Sequence, residues 1–178
     1  MTKEQLFFVF DVESIGLHGE GFAVGFVVVN GYGNDVQFGA MACPPKAAKG
    51  AHPKLEDVGQ AWVMGNIAPL PITHDFPFGV REAFWAQWLC WKERGAIMVA
   101  DCAWPVESKF LAQCVLDSPI EREWQGPYPL HDLASILLAN GKDPLEKFPR
   151  LPKELPEHNP LADARQSARI LTETLFPK

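Results

Sequence analysis

No run of apolar residues in this sequence approaches the ~20 that a bilayer-spanning helix requires, so a membrane span is not expected. The four cysteines, Cys43, Cys90, Cys102 and Cys114, include no CxxC pair, which speaks against both disulfide and zinc frameworks. Positive charge is also scarce, with 16 basic residues against 22 acidic ones and a formal net charge of −6. A protein that grips long duplex by its phosphates shows a basic footprint, so a general nucleic-acid coat protein is disfavoured. An enzyme working at one nucleic-acid end stays compatible, because carboxylates that hold metal ions bring negative charge of their own. The opening Met1-Thr2-Lys3-Glu4-Gln5 leads directly into a strand-like run with no cleavable signal pattern. With unpaired cysteines, the expected compartment is a reducing cytoplasm.

What the chain does have is aromatic bulk: twelve Phe and six Trp among 178 residues, and 47% hydrophobic residues overall. A chain of this length can bury about 70% of its unfolded surface without covalent staples. One domain over residues 1–178 is the expectation. Leu6 to Phe10 is a continuous apolar run, as in a strand buried on both faces. Ser14 to Gly21 reads as a turn, Phe22 to Val29 as a second strand closed by Asn30-Gly31, and Asp35 to Ala42 as a third. Residues 43–77 are proline-rich and read as an irregular excursion, with a short helix over Leu55 to Ile67. Gly79 to Arg94 has a helical apolar face and Gly95 as its cap. Ala96 to Ala100 is a short buried strand, and a helix begins near Pro105. A last short strand near Pro129-Leu130, a helix from Asp132 to Asn140 and an amphipathic helix from Pro160 to Leu175 complete the order. The fold class this implies is α/β: a mixed sheet, made of an antiparallel three-strand meander plus parallel strands, flanked by helices.

Three acidic segments stand out. Asp11 and Glu13 are i and i+2 on a strand and so share one face, directly after five apolar residues. Adjacent carboxylates repel unless a cation neutralises them. Asp101 and Glu107 flank the passage from the strand ending at Ala100 into the helix near Pro105. His158 and Asp163 bracket the start of the final helix, an imidazole that can take a proton near neutral pH and a carboxylate that can hold a metal. Each segment alone has an ordinary structural explanation, as strand-terminal or helix-initiating acids.

Together the three resemble the motifs of the DEDDh branch of the DEDD 3′–5′ exonucleases, the group of oligoribonuclease, ribonuclease T and proofreading exonuclease subunits. Phe10-Asp11-Val12-Glu13-Ser14-Ile15-Gly16-Leu17 is similar to the first motif, DxE(T/S)xGL, and His158 to Ala164 to the third, HxAxxDA, with Pro160 in place of a small residue. Val99 to Leu111 fits the second, HNxxFDxxFL, with Glu107 where the family has Asp and Asp101-Cys102 where it has His-Asn. The resemblance implies a ribonuclease H-like fold and a two-metal phosphodiester hydrolysis with two Mg²⁺ or Mn²⁺ ions. It assigns Asp11, Glu13, Glu107 and Asp163 as metal ligands and His158 as the base. Ser14, Gly16 and Leu17 become substrate contacts at the 3′ end, Leu17 against the terminal base. Asp101 is the rival for the third acid; the register favours Glu107, and Asp101 is expected to accept hydrogen bonds from backbone amides at the helix start. The implied partners are 3′ ends of single-stranded or short RNA or DNA.

Trp85, Trp88 and Trp91 are expected in a core or a dimer interface, so a homodimer is an open alternative. Arg150, Lys153, Arg165 and Arg169 are surface cations that could meet phosphates. His131-Asp132 reads as a helix N-cap. A catalytically inactive binding or assembly module on the same fold is the alternative, kept open by Glu107; an enzyme on another phosphorylated small molecule is a third reading.

Overall fold

The computed structural model describes residues 2–177. Strands β1 (Leu6–Ser14), β2 (Gly21–Asn30) and β3 (Asp35–Ala42) form the expected antiparallel meander. Helices α1 (Pro53–Asn66) and α2 (Pro77–Lys92) follow, then β4 (Ile97–Ala100). After a wide turn come α3 (Ser108–Asp117), the single-turn α4 (Pro119–Arg122) and β5 (His131–Asp132). Helices α5 (Leu133–Ala139) and α6 (Pro160–Leu175) complete the chain. The sheet order is β3-β2-β1-β4-β5, with β4 and β5 parallel to β1. The mixed sheet flanked by helices is thus as expected.

Several boundaries differ from expectation. β1 runs on past Phe10 to Ser14, because its antiparallel partner β2 keeps pairing through Glu13–Ala23 and Ser14–Gly21. On its other side β1 loses its partner earlier, since β4 ends at Ala100 opposite Phe10. Asp11 and Glu13 are therefore held in extended backbone by one neighbour while the other side opens. The helix in the excursion at 43–77 starts two residues earlier than expected and ends one earlier, with His52 accepting from the Lys54 amide at its start. The helix expected from Pro105 begins regularly only at Ser108, after a wider turn over Ala103–Glu107 in which Trp104 has extended backbone angles. The last strand lies at His131–Asp132, one residue beyond Pro129-Leu130, and Asp132 also caps α5 by accepting from the Ser135 amide. The turn α4 was not anticipated.

Alternation along β1 divides the core into two. Phe8, Phe10 and Val12 point to one face and pack with Val80, Phe84 and Trp88 of α2 and Phe110 of α3. Phe84 meets Phe8, Phe10 and Phe110 with ring centroids 5.2–5.6 Å apart, each burial contributing about 1.5–3 kcal/mol. Phe7 and Val9 point to the other face and pack with Leu133 and Leu137 of α5 and Ala164, Ala168 and Leu171 of α6. Trp85, Trp88 and Trp91 are all buried within this chain, so core packing alone accounts for them. No helix among the described residues is long and apolar enough to cross a membrane.

By the same alternation Asp11 and Glu13 continue the Phe7–Val9 face, which is the face α6 covers. One glycine permits the close approach of that helix. Gly25 of β2 pairs with Asp11, and a Cβ there would lie 2.2 Å from the Leu161 amide nitrogen and 2.3 Å from the Pro160 carbonyl carbon. Both neighbours are backbone, so neither can rotate away. We expect Gly25→Ala to cost about 1–3 kcal/mol of stability and to push the start of α6 off the sheet. Gly65→Ala, where nothing lies within 4 Å, serves as the control. Thermal melts of the two variants check this; equal melting points would contradict it.

Candidate active site

The site is built where the paired part of the sheet ends. β1 presents Asp11 and Glu13 on the α6 face, and the first turn of α6 presents Asp163. α6 starts where it does because the Asn159 side chain accepts from the Ala162 amide and Pro160 occupies the first helical position. One carboxylate oxygen from each of Asp11, Glu13 and Asp163 lies within 4.8 Å of the others. Glu107, buried in the turn before α3, does not join that tight group. It stays close enough that its charge acts on both Asp11 and Glu13.

Burial and mutual repulsion drive these acids towards protonation. Burial first, then Asp163, Glu107, Glu13 and Asp101, hold Asp11 well above the usual carboxylate range. Burial, then Asp163 and Glu107, push Glu13 up to about 8. Burial, with Asp101 and Asp132 adding to it, pushes Glu107 up to about 7. Asp163 is raised too, by burial, with the Arg150 guanidinium pulling the other way. Three carboxylates this close cannot all be ionised unless a cation sits among them. The donor set is wholly hard oxygen, which suits Mg²⁺ or Mn²⁺. The residues therefore fit a divalent ion.

Asp101 is at the same opening but bonds differently from expectation. Its side chain accepts from the Ser167 hydroxyl of α6 at 3.0 Å. The backbone amide at the helix approach, that of Ala103, donates instead to Asp132. Asp101 lines a cavity of about 260 Å³ together with Asp11, Glu13, Arg150, Glu157, His158, Asp163, Gln166 and Ser167.

His158 is exposed, at the rim of that cavity, with a left-handed backbone angle of φ 57°. Its ring meets Trp62 of α1 edge-on, centroids 5.2 Å apart. Trp62 escaped the sequence reading, because only tertiary contact brings the excursion helix to this loop. Beside Glu13 lies a second, mostly apolar cavity of about 570 Å³, lined by Ser14, Gly16, Leu17, Leu55, Val58, Trp62 and Val106 among others. Gly16 has φ +67°, which turns the chain there, and the Ser14 hydroxyl donates to the Gly16 carbonyl. Leu17 stands 67% exposed at the rim. So Ser14, Gly16 and Leu17 share one pocket, adjoining the acids. Of the other basic candidates, Arg169 is spent on Glu154, Glu173 and the Pro149 carbonyl. Lys153 lies 3.5 Å from Asp35, and Arg165 stacks over Phe38.

The raised carboxylates make a stability claim with a definite sign. Glu13 and Glu107 bind protons more tightly folded, near 8 and 7, than at their ordinary value of 4.5. Their protonated forms thus support the fold at low pH, and that support is lost as pH rises through 7 to 8. In EDTA the melting temperature should fall between pH 5.5 and 8.5. Excess Mn²⁺ should restore it most at the alkaline end. A flat profile in EDTA with no gain from Mn²⁺ would contradict the clustering.

Solved structures that share the fold include two exonucleases. One is a moderately thermophilic exonuclease I from Methylocaldum szegediense, at 14% identity and TM-score 0.56, covering 96% of this chain and 40% of that one. The other is a zinc-bound form of the E. coli exonuclease I complex with single-stranded DNA, at 12% identity and TM-score 0.58, covering 98% and 42%. This chain thus spans about two fifths of the length of these neighbours. The likeness shows the expected ribonuclease H-like fold. No family model and no curated protein matches the sequence.

Proposed function

We propose that this chain is a divalent-metal-dependent 3′–5′ exonuclease acting on single-stranded or short nucleic acid. The observation that carries this is the convergence of Asp11, Glu13 and Asp163 from two distant elements, each within 4.8 Å of the others, beside a mostly apolar cavity. Asp11, Glu13 and Asp163 would hold the metal, with Glu107 as the fourth acid. When bound, divalent ions would activate a water and offset charge developing on the scissile phosphate. His158, at the cavity rim, would take the water's proton as its oxygen bonds to phosphorus, while the bond to the 3′ oxygen breaks and that oxygen leaves as a hydroxyl protonated from solvent. Leu17, Leu55, Val58 and Trp62 offer apolar surface on which a terminal base can lie, excluding water from one side of the site. The turn at Ser14 to Leu17 sets that base next to Glu13. The exonuclease I neighbour solved with single-stranded DNA supports a nucleic-acid ligand.

One observation favours the alternative of an inactive binding module: Glu107 stands outside the tight group. Turnover separates the two. End-labelled DNA and RNA oligonucleotides of several lengths, incubated with Mg²⁺, Mn²⁺ or EDTA, should be shortened from the 3′ end only when metal is present. Asp11→Asn should lose at least about a hundredfold in rate, since even groups that merely orient metal ligands are worth 10–100-fold, while its melting temperature holds or rises because repulsion is relieved. Glu107→Gln should lose more than Asp101→Asn. Oligonucleotides bound but never cut would favour the module, and the reverse ranking of the two acids would make Asp101 the fourth ligand.

A further inference from the structure

Lining the acidic cavity is a basic side chain that the mechanism above leaves unused. Arg150 belongs to the loop between α5 and α6, and its Nη1 lies 2.5 Å from Asp163 Oδ1. The contact lies outside hydrogen-bond angles, and Oδ1 is buried without a hydrogen-bond donor. The pair is therefore held by charge. The same Nη1 donates to the Glu154 carbonyl at 2.7 Å, and Nε lies 3.7 Å from Glu157. Glu154 is itself fixed, since its carboxylate accepts from Arg169 and from the Leu151 amide. So a single nitrogen of the Arg150 guanidinium bridges the Glu154 carbonyl of its own loop and an oxygen of the acid cluster.

A guanidinium and a divalent cation compete for the negative charge of that carboxylate. The guanidinium offers one positive charge to a cavity with Asp11, Glu13, Asp101 and Asp163 on its walls. A divalent ion brings two and binds several oxygens at once, so it wins Asp163 when present. The displaced guanidinium stays on the Glu154 carbonyl, immediately beside the acids. It then has free donors beside the place where a phosphate must lie. A planar fork of N–H groups matches the paired oxygens of a phosphate.

We propose that Arg150 is an exchangeable counter-cation, occupying Asp163 in the metal-free chain and passing to a substrate phosphate once metal takes the carboxylate. This rests on the metal-binding reading above. It gives Arg150 two tasks in sequence: it holds the His158 loop over the site before loading, and it binds the strand afterwards.

The test is Mn²⁺ titration by calorimetry on the full chain, for wild type, Arg150→Gln and Arg150→Lys, with KM and kcat on a labelled oligonucleotide. Arg150→Gln should bind Mn²⁺ about three- to tenfold more tightly, the fold-change of losing one partly screened competing ion pair. Its KM should rise about tenfold with a smaller change in kcat. Arg150→Lys keeps the charge and loses the fork, so Mn²⁺ affinity should stay near wild type while KM rises. A merely structural arginine would give the opposite sign, with looser Mn²⁺ binding in Arg150→Gln as the loop slackens; that result, or unchanged affinity, overturns the proposal while leaving the metal site standing. Unchanged KM in both variants overturns the transfer to phosphate. Wild type that takes up no Mn²⁺ sinks the metal reading itself. Should Arg150→Gln not fold, Arg150→Lys decides by KM alone.

Discussion

Carboxylate repulsion is the constraint on which this architecture depends. Asp11, Glu13 and Asp163 are brought within 4.8 Å of one another in a place largely shielded from water. At that spacing each ionised oxygen costs the next one free energy, and the fold must supply the force that holds them. It does so with the two cores on either side of β1. Phe8 and Phe10 tie the strand to α2, while Phe7 and Val9 tie it to α5 and α6. The acids are the next residues along the α6-facing row, so the packing that stabilises the strand also fixes their position.

The approach of α6 is the second half of that arrangement. Its first turn lies so close to β2 that only glycine fits at position 25. The helix therefore delivers Asp163 to the strand pair at short range, and Ser167 one turn later reaches Asp101. Protons and Arg150 are what offset the repulsion in the metal-free chain, and both are exchangeable for a divalent ion. Around this charged centre the surface is apolar on the Leu17–Trp62 side and acidic or polar on the Asp101–Ser167 side. Only with a divalent ion among the acids would a ligand with a flat apolar group joined to a phosphate match that division.

Much of the fold was legible because its strands are buried runs with clear ends. The meander, β4 and α6 carry their periodicity in adjacent residues. Asp11 and Glu13 were legible as a pair because a period of two needs only three consecutive residues. What local pattern could not supply was partnership across the chain. Asp101 was expected to bond nearby amides, but its partner Ser167 is 66 residues away. Trp62 meets His158 only because the excursion helix folds back over the loop. α4 is a single turn and β5 two residues, too short to leave a periodic trace. The irregular turn before α3, with Trp104 extended, has no pattern distinguishing it from a helix start.

The most direct measurement is anomalous diffraction from a crystal of the chain soaked in Mn²⁺. The account predicts a manganese peak bonded to oxygens of Asp11, Glu13 and Asp163 at about 2.0–2.6 Å, with the Arg150 guanidinium withdrawn from Asp163. A soaked crystal with no peak among these carboxylates, and Arg150 still against Asp163, would contradict it.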